Sequence, residues 1–228
     1  MKLLALDTAT ENCSAALLID EVLLGREQLA ARTHAELILP MISGLLAQAS
    51  LGLSALDAIA FGCGPGAFTG VRLAASLTQG LAFGAALPVI PVSDLAAVAQ
   101  RALDADPTLQ RVLVCNDARM QEVYWGCFAR GARQLARRVG EERVTAAAHV
   151  QLPPGWESGA LGAAGSGLAA YPELGARLKL DAARLRPHLL PRAHEIVRLA
   201  VPEWQEGRTL PAGRALPVYL RNEVVRPA

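Results

Sequence analysis

Leu3-Leu4-Ala5-Leu6-Asp7-Thr8-Ala9-Thr10-Glu11-Asn12-Cys13 is a short apolar run, a carboxylate, a polar turn and the start of a second apolar run. Cys13 to Ile19 and Val22 to Leu29 continue the pattern, separated by Asp20-Glu21. Three short runs joined by tight polar turns predict an antiparallel meander, with Asp7 at the end of its first strand. The same pattern returns at Val112-Leu-Val-Cys-Asn116-Asp117-Ala118-Arg119, followed by Val123-Tyr-Trp-Gly-Cys-Phe128. Asp7 and Asp117 hold the same place in two strand–Asp–turn–strand units, which hints at two lobes built on one plan.

The segments between these units read as helices and buried strands. Thr33-His34-Ala35-Glu36 fits a capping box, in which the Thr33 hydroxyl and the Glu36 side chain would each satisfy an amide of the first turn. Leu37, Ile38, Met41, Ile42 and Leu45 then recur at helical spacing up to Ala49, with Pro40 expected to kink the helix. Ala58 to Phe61 reads as a buried strand. Gly62 to Gly70 is a glycine-rich turn that leads into a second helix, Val71 to Phe83. Val89 to Val92 is a short strand, and Ser93 a natural N-cap for a third helix ending near Leu103. Asp104-Ala-Asp-Pro107 marks a boundary, giving an N-terminal lobe over 1–105 and a smaller C-terminal lobe over 106–228. Signals between Pro153 and Gly175 are weak. His194 to Glu206 reads as a late helix interrupted by Pro202, and the tail Leu216-Pro-Val-Tyr-Leu-Arg-Asn-Glu is expected to return and pack on the body.

Composition excludes several classes of function. The chain has 228 residues with 52% hydrophobic and 19% charged, so it is neither disordered nor highly polar. A net charge of +1, from 22 basic and 21 acidic residues, argues against a protein whose main task is wrapping nucleic acid. Arg130, Arg133, Arg137, Arg138 and Arg143 form a local group that is either a solvated face or a contact for RNA phosphates. Asp7 comes too soon for a signal-peptide core. No run of about 18 uncharged apolar residues escapes interruption by Gly, Pro or a polar residue, so no membrane span is expected. Cys13, Cys63, Cys115 and Cys127 are widely spaced and apolar in context, as buried thiols of a reducing cytosol would be. The four histidines make no H-E-x-x-H and no i, i+4 pair, and the two lysines stand in no Walker-type loop, so no metal set is expected. No nucleophile–base pair suggests a protease.

Three constellations could carry function. Asp7-Thr8-Ala9-Thr10 is either a turn facing a hydrated cation and phosphate oxygens, or an Asx turn in which Asp7 caps local amides. Gly62-Cys-Gly64-Pro-Gly66-Ala-Phe-Thr-Gly70 places four glycines in nine residues after a strand and before a helix. Such a turn lets the backbone approach an anion, or lets strand and helix pack closely. As a dinucleotide fingerprint it is weak, because no acidic residue stands about 20 positions on and Pro65 interrupts it. The third is the excess of apolar residues on the first two helices, where Leu39, Leu46, Leu73, Leu77 and Leu81 widen the arc beyond one core face. That excess suits a partner's matching helices, burial within the chain, or both.

Leu4-Ala-Leu-Asp-Thr-Ala-Thr10, Gly62-Cys-Gly-Pro-Gly-Ala-Phe-Thr-Gly-Val-Arg72, Asn116-Asp-Ala-Arg-Met-Gln-Glu-Val-Tyr-Trp125 and Pro217-Val-Tyr-Leu-Arg221 resemble the signature segments of the TsaB (YeaZ) family, once labelled glycoprotease-like. The resemblance implies an α/β, two-lobed actin-like ATPase fold (sugar kinase/Hsp70/actin) with a reduced C-terminal lobe. It implies a cytoplasmic, non-catalytic scaffold and activator of the transferase TsaD, which moves threonylcarbamoyl onto adenosine 37 of ANN-decoding tRNAs, with the ATPase TsaE completing the assembly. It implies a homodimer when alone, and tRNA reached through the complex. The partner-binding residues would be Leu37, Ile38, Met41, Ile42 and Leu45 on the first helix, with Leu73, Leu77 and Leu81 on the second. Actin-like ATPases place glycine where this chain has Ala9, yet Asp7, Thr8, Thr10, Gly64, Gly66 and Asp117 remain candidates for weak ATP or ADP binding with magnesium. A self-sufficient ATP-dependent kinase built on the Asp7 hairpin is the alternative.

Overall fold

The computed structural model describes residues 1–30, 33–156 and 159–221. The chain divides into two compact units, Met1–Ala97 with Leu190–Pro217, and Val98–Leu189 with the described residues after Pro217. The expected division at 105/106 differs from this one, because the segment from Leu190 to Pro217 packs with the first unit.

The elements in chain order are β1 (Lys2–Asp7), β2 (Asn12–Ile19), β3 (Val22–Leu29), α1 (His34–Gln48), β4 (Ala58–Gly62), α2 (Phe68–Ala85), β5 (Val89–Val92) and α3 (Asp94–Ala105). They continue with β6 (Arg111–Asp117), β7 (Glu122–Arg130), β8 (Ala136–Ala146), β9 (Leu161–Ala164), α4 (Gly167–Ala170), α5 (Glu173–Arg177), β10 (Leu185–Arg186) and α6 (Ala193–Gln205). The first sheet runs β3-β2-β1-β4-β5 and the second β8-β7-β6-β9-β10. In each, the first three strands in sequence pair antiparallel and the last two add in parallel. The two-lobe plan suggested by Asp7 and Asp117 is therefore a shared strand order, and each aspartate ends the central strand of its sheet. The second unit is reduced: α4 and α5 have 4 and 5 residues where α2 has 18.

Alternation along β1 splits the first unit's core in two. Leu4 and Leu6 face one layer, with Ile38, Met41, Ile42 and Leu45 of α1 and Ala74, Ala75 and Ala82 of α2. Leu3 and Ala5 face the other, with Ala193, Ile196, Val197 and Ala200 of α6. The i, i+3, i+4, i+7 spacing of that last group is why α6 joins this unit: its apolar stripe closes the sheet's second face. Arg192 and Glu195 secure the attachment. Glu195 is buried, accepts two hydrogen bonds from the Arg192 guanidinium at 3.0 and 2.5 Å, and follows Ala193, whose amide donates to Ser14 Oγ at 2.9 Å.

Local expectations differ from the structure in instructive ways. Ser93 caps α3 as expected, its hydroxyl accepting from the Ala96 amide at 3.2 Å. Thr33 is the N-cap of α1, but its side chain makes no capping bond. Its backbone (φ −106°, ψ 18°) is not the extended conformation that aims a hydroxyl at the first turn. Pro40 and Pro202 lie inside α1 and α6, each a single uninterrupted helix. Ahead of the expected tail, Leu210 bridges Val89 on β5 and Gln79 Nε2 donates to the Ala215 carbonyl at 2.9 Å. Within it Leu216, Val218 and Tyr219 are exposed, Arg221 donates to the Ala118 carbonyl at 3.1 Å, and Asn222 and Glu223 lie outside the described residues.

Candidate functional site

The Asp7–Thr10 hairpin follows β1, and the glycine turn between β4 and α2 lies directly on it. Asp7, Thr8 and Ala9 are buried as a result. The Ala67 amide donates to the Ala9 carbonyl at 2.7 Å, and Thr8 Oγ1 donates to the Gly70 carbonyl at 2.7 Å. A Cβ on Gly66 would stand 2.5 Å from the Ala9 oxygen and 2.8 Å from its Cβ, and one on Gly70 would collide with the Thr8 carbonyl. A Cβ on Gly62 would stand 2.6 Å from Asp7 Oδ1 and 2.5 Å from Asp94 Oδ1. Three of the four glycines thus answer a steric demand made by the protein's own hairpin and acids.

Asp7 faces inward. Its Oδ1 accepts from the Ala9 amide at 2.8 Å, the Asx geometry, and its Oδ2 is buried with no donor. Its carboxyl meets that of Asp94, whose Oδ2 accepts from the Gly64 amide at 2.5 Å. Burial pushes the Asp7 carboxyl up to about 6, against the opposing pull of the Ala9 amide, Asp94, the Thr8 amide and His34. In the sequence Asp94 shows only the role of a first-turn acid of α3, and sequence reasoning misses it as a partner of Asp7. The signal that could have marked it is its place one residue after a capping serine, at the end of the strand paired with β4. Burial, with the Asp7 charge, also pushes the nearby Cys13 thiol up to about 11, and burial pushes Cys127 up to about 12, so neither is a reactive thiolate.

The candidate nucleotide residues are divided between the two units. Asp7, Thr8, Gly64 and Gly66 meet in the first unit, and Thr10 joins them through its carbonyl, which lies 2.8 Å from His34 Nε2. Asp117 belongs to the second unit with partners of its own: the Arg119 amide donates to Oδ1 at 2.9 Å, and Tyr171 OH lies 3.4 Å from the same atom. Among the described residues no three His, Cys, Asp or Glu side chains are grouped to hold a metal, and no helix is long and apolar enough to cross a membrane. In the arginine group, Arg137 and Arg138 are exposed on β8. Arg130 is tied to the Leu109 and Leu103 carbonyls at 2.9 and 2.8 Å, and Arg143 stands 3.7 Å from Glu141.

The expected partner-binding residues lie at different depths, with Leu73 of α2 half-buried. Ile38, Met41, Ile42 and Leu45 point into the core, and Leu37, Leu77 and Leu81 are partly buried against it. The helical spacing that marked them is the spacing of the core face. The large apolar side chains that α1 and α2 turn outward are Leu39, 41% exposed, Phe68, 47%, and Phe83, 83%. Arg72 stacks on the Phe68 ring with its guanidinium carbon 3.6 Å from the centroid.

The family described as TsaD, tRNA N6-adenosine threonylcarbamoyltransferase, matches residues 27–177. The chain is 40% identical over 224 residues to the tRNA threonylcarbamoyladenosine biosynthesis protein TsaB of Escherichia coli, covering 98% of this chain and 96% of that one. It is 41% identical to the Haemophilus influenzae protein of the same name, over 98% and 95% of the two chains. The solved structure of YeaZ from Pseudomonas aeruginosa superposes with a TM-score of 0.88 at 45% identity, over 96% of this chain and 99% of that one. With the repeated sheet order and the reduced second unit, these likenesses establish an actin-like ATPase fold and a role in tRNA modification: the chain belongs to the TsaB (YeaZ) family of tRNA threonylcarbamoyladenosine biosynthesis proteins.

Proposed function

We propose that the protein serves threonylcarbamoyladenosine synthesis as a non-catalytic partner that docks on, and activates, a TsaD-type transferase through the outward face of α1 and α2. The observation that carries this reading is the exposure of Leu39, Phe68 and Phe83 on these two helices. Large apolar side chains presented by two helices of one unit, amid polar neighbours, suit a surface that a partner covers. Ser76 and Gly80, also outward on α2, leave room for a helix to approach closely. The same face serves a homodimer when the transferase is absent, and the ATPase TsaE and the tRNA join through the complex. The alternative, an ATP-dependent enzyme, needs Asp7 and Thr8 facing a nucleotide, whereas both lie under the glycine turn.

The test is reconstitution of tRNA modification with each protein omitted in turn, and with Leu39→Asp plus Phe83→Asp in this chain. The expected result is a folded variant that neither binds TsaD nor supports modification. Modification at full rate with that variant, or without the chain, would refute the reading. Met41→Asp with Leu45→Asp cannot serve, because it places two carboxylates in the core.

A further inference from the structure

The first residues of both outward helices are tied to the same buried hairpin. His34, which opens α1, directs Nε2 at the Thr10 carbonyl at 2.8 Å. At α2, the Ala67 amide meets the Ala9 carbonyl at 2.7 Å and the Gly70 carbonyl accepts from Thr8 Oγ1 at 2.7 Å. Gly66 lies against Ala9 so closely that no side chain fits between them. Phe68, the first residue of α2 and one of its exposed rings, sits within this anchored turn. Leu39 is five residues into α1, about 7.5 Å along its axis. A shift of the hairpin therefore moves apolar side chains on both helices together.

We propose that the Asp7–Thr10 hairpin is a positioning element for docking, with Thr8 the residue that sets the register of α2 against its partner. This rests on the reading that α1 and α2 form the docking face. Thr8 is only 1% exposed and so cannot touch a partner itself. Any effect of Thr8 on affinity must pass through the position of α2. The hairpin retains the strand-end place of a phosphate-facing turn, but the Thr8 hydroxyl and the Ala9 and Thr10 carbonyls are spent on helix N-terminal segments.

The test uses the full chain with Thr8→Val, which keeps the shape of the side chain and removes the donor. Expected are faster amide hydrogen exchange in the first turns of α2, and an affinity for TsaD reduced between about two- and tenfold, the factor one hydrogen bond supplies. Thr8→Ser should restore both. Unchanged affinity with Thr8→Val, or no rescue by serine, would overturn the proposal, and so would global destabilisation with wild-type affinity. If Thr8→Val does not fold, His34→Ala replaces it, read at α1 with the same two measurements, and wild-type affinity again overturns the proposal. Leu39→Asp plus Phe83→Asp separates the two failures. If that pair abolishes binding while the hairpin variants do nothing, only the positioning role is lost. If the pair binds normally, the docking face itself is wrong.

Discussion

Replacing Asp7 by asparagine should stabilise the protein at neutral pH. Asp7 and Asp94 are both fully buried and meet side chain to side chain. As two carboxylates they offer each other only acceptors, and Asp7 Oδ2 has no donor. One proton between them turns that contact into a hydrogen bond, and its loss leaves a buried charge on Asp7. Burial, the largest cause, raises the Asp7 carboxyl from 3.8 to about 6, so the folded protein holds this proton over a pH range in which the unfolded chain has lost it. The contribution is fully present below pH 3.8, declines as pH rises, and is gone above about 6. A shift of about two units corresponds to about 3 kcal/mol. The asparagine amide would keep the acceptor for the Ala9 amide and offer a permanent donor to Asp94, independent of pH. Urea unfolding of wild type and Asp7→Asn, from pH 4 to 8, isolates the effect as a difference, since the other acids cancel. The variant should gain on wild type as pH rises, by about 2–3 kcal/mol between pH 4 and 7. A difference that stays flat, or that favours wild type increasingly toward neutrality, would refute the shared-proton account. Cys13 also faces Asp7, but burial pushes its thiol up to about 11, outside the range of the titration.

Gly66→Ala should destabilise by about 1–2 kcal/mol, since its Cβ meets the Ala9 oxygen at 2.5 Å, while Gly80→Ala, with nothing within 4 Å of the new methyl, should stabilise α2 by about 0.5–1 kcal/mol. Calorimetry at one low protein concentration checks both, and equal signs would show that packing at the hairpin does not explain Gly66. Ile38→Ala, at a fully buried position of α1, should cost about 2–5 kcal/mol, and Leu39→Ala next to it under about 1 kcal/mol, as measured by chemical denaturation of the isolated chain.

Much of the fold was legible because periodicity and punctuation agreed. The three opening strands, the strand from Val89 to Val92 and the Ser93 cap follow from runs of apolar residues between polar turns. The helix after the glycine turn begins at Phe68, three residues before the expected Val71, because hairpin contacts hold its first turn. Less legible was anything decided by distant residues. Leu37, Ile38, Met41, Ile42 and Leu45 mark one face of a helix, and periodicity alone cannot say whether a sheet or a partner covers that face. The sheet does, leaving Leu39 and the aromatics at the ends of α2 to the outside. Four glycines in nine residues fit equally an anion and a close neighbour, and only the position of Ala9 and Thr8 across the turn decides for the neighbour. Asp94 stands 87 residues from Asp7, and their meeting depends on the order of β1, β4 and β5.

The repeated plan also bears on which unit can dock. Both sheets place an aspartate at the end of the central strand and a glycine-containing turn after the parallel strand beside it. In the first unit that turn is followed by 18 residues of helix, and the loop after the third strand by 15 more, so two long helices cover one sheet face with a second face left over. In the second unit the corresponding connections hold a three-residue turn of helix at Ala147–His149 and the short α4 and α5. Trp125, Trp156, Leu161, Leu168 and Leu174 fill its core, and among the described residues the helices that follow β6 within this unit, α4 and α5, have only 4 and 5 residues. A hairpin that grips helix starts has a long lever to position only in the first unit. In the second, Asp117 holds its own turn through the Arg119 amide, meets Tyr171 OH at 3.4 Å, and its amide donates to Ser166 Oγ at 3.1 Å, ahead of the four-residue α4. The shared plan therefore gives two copies of one strand–Asp–turn frame, and long helices follow it in the first unit, where α1 has 15 residues and α2 has 18.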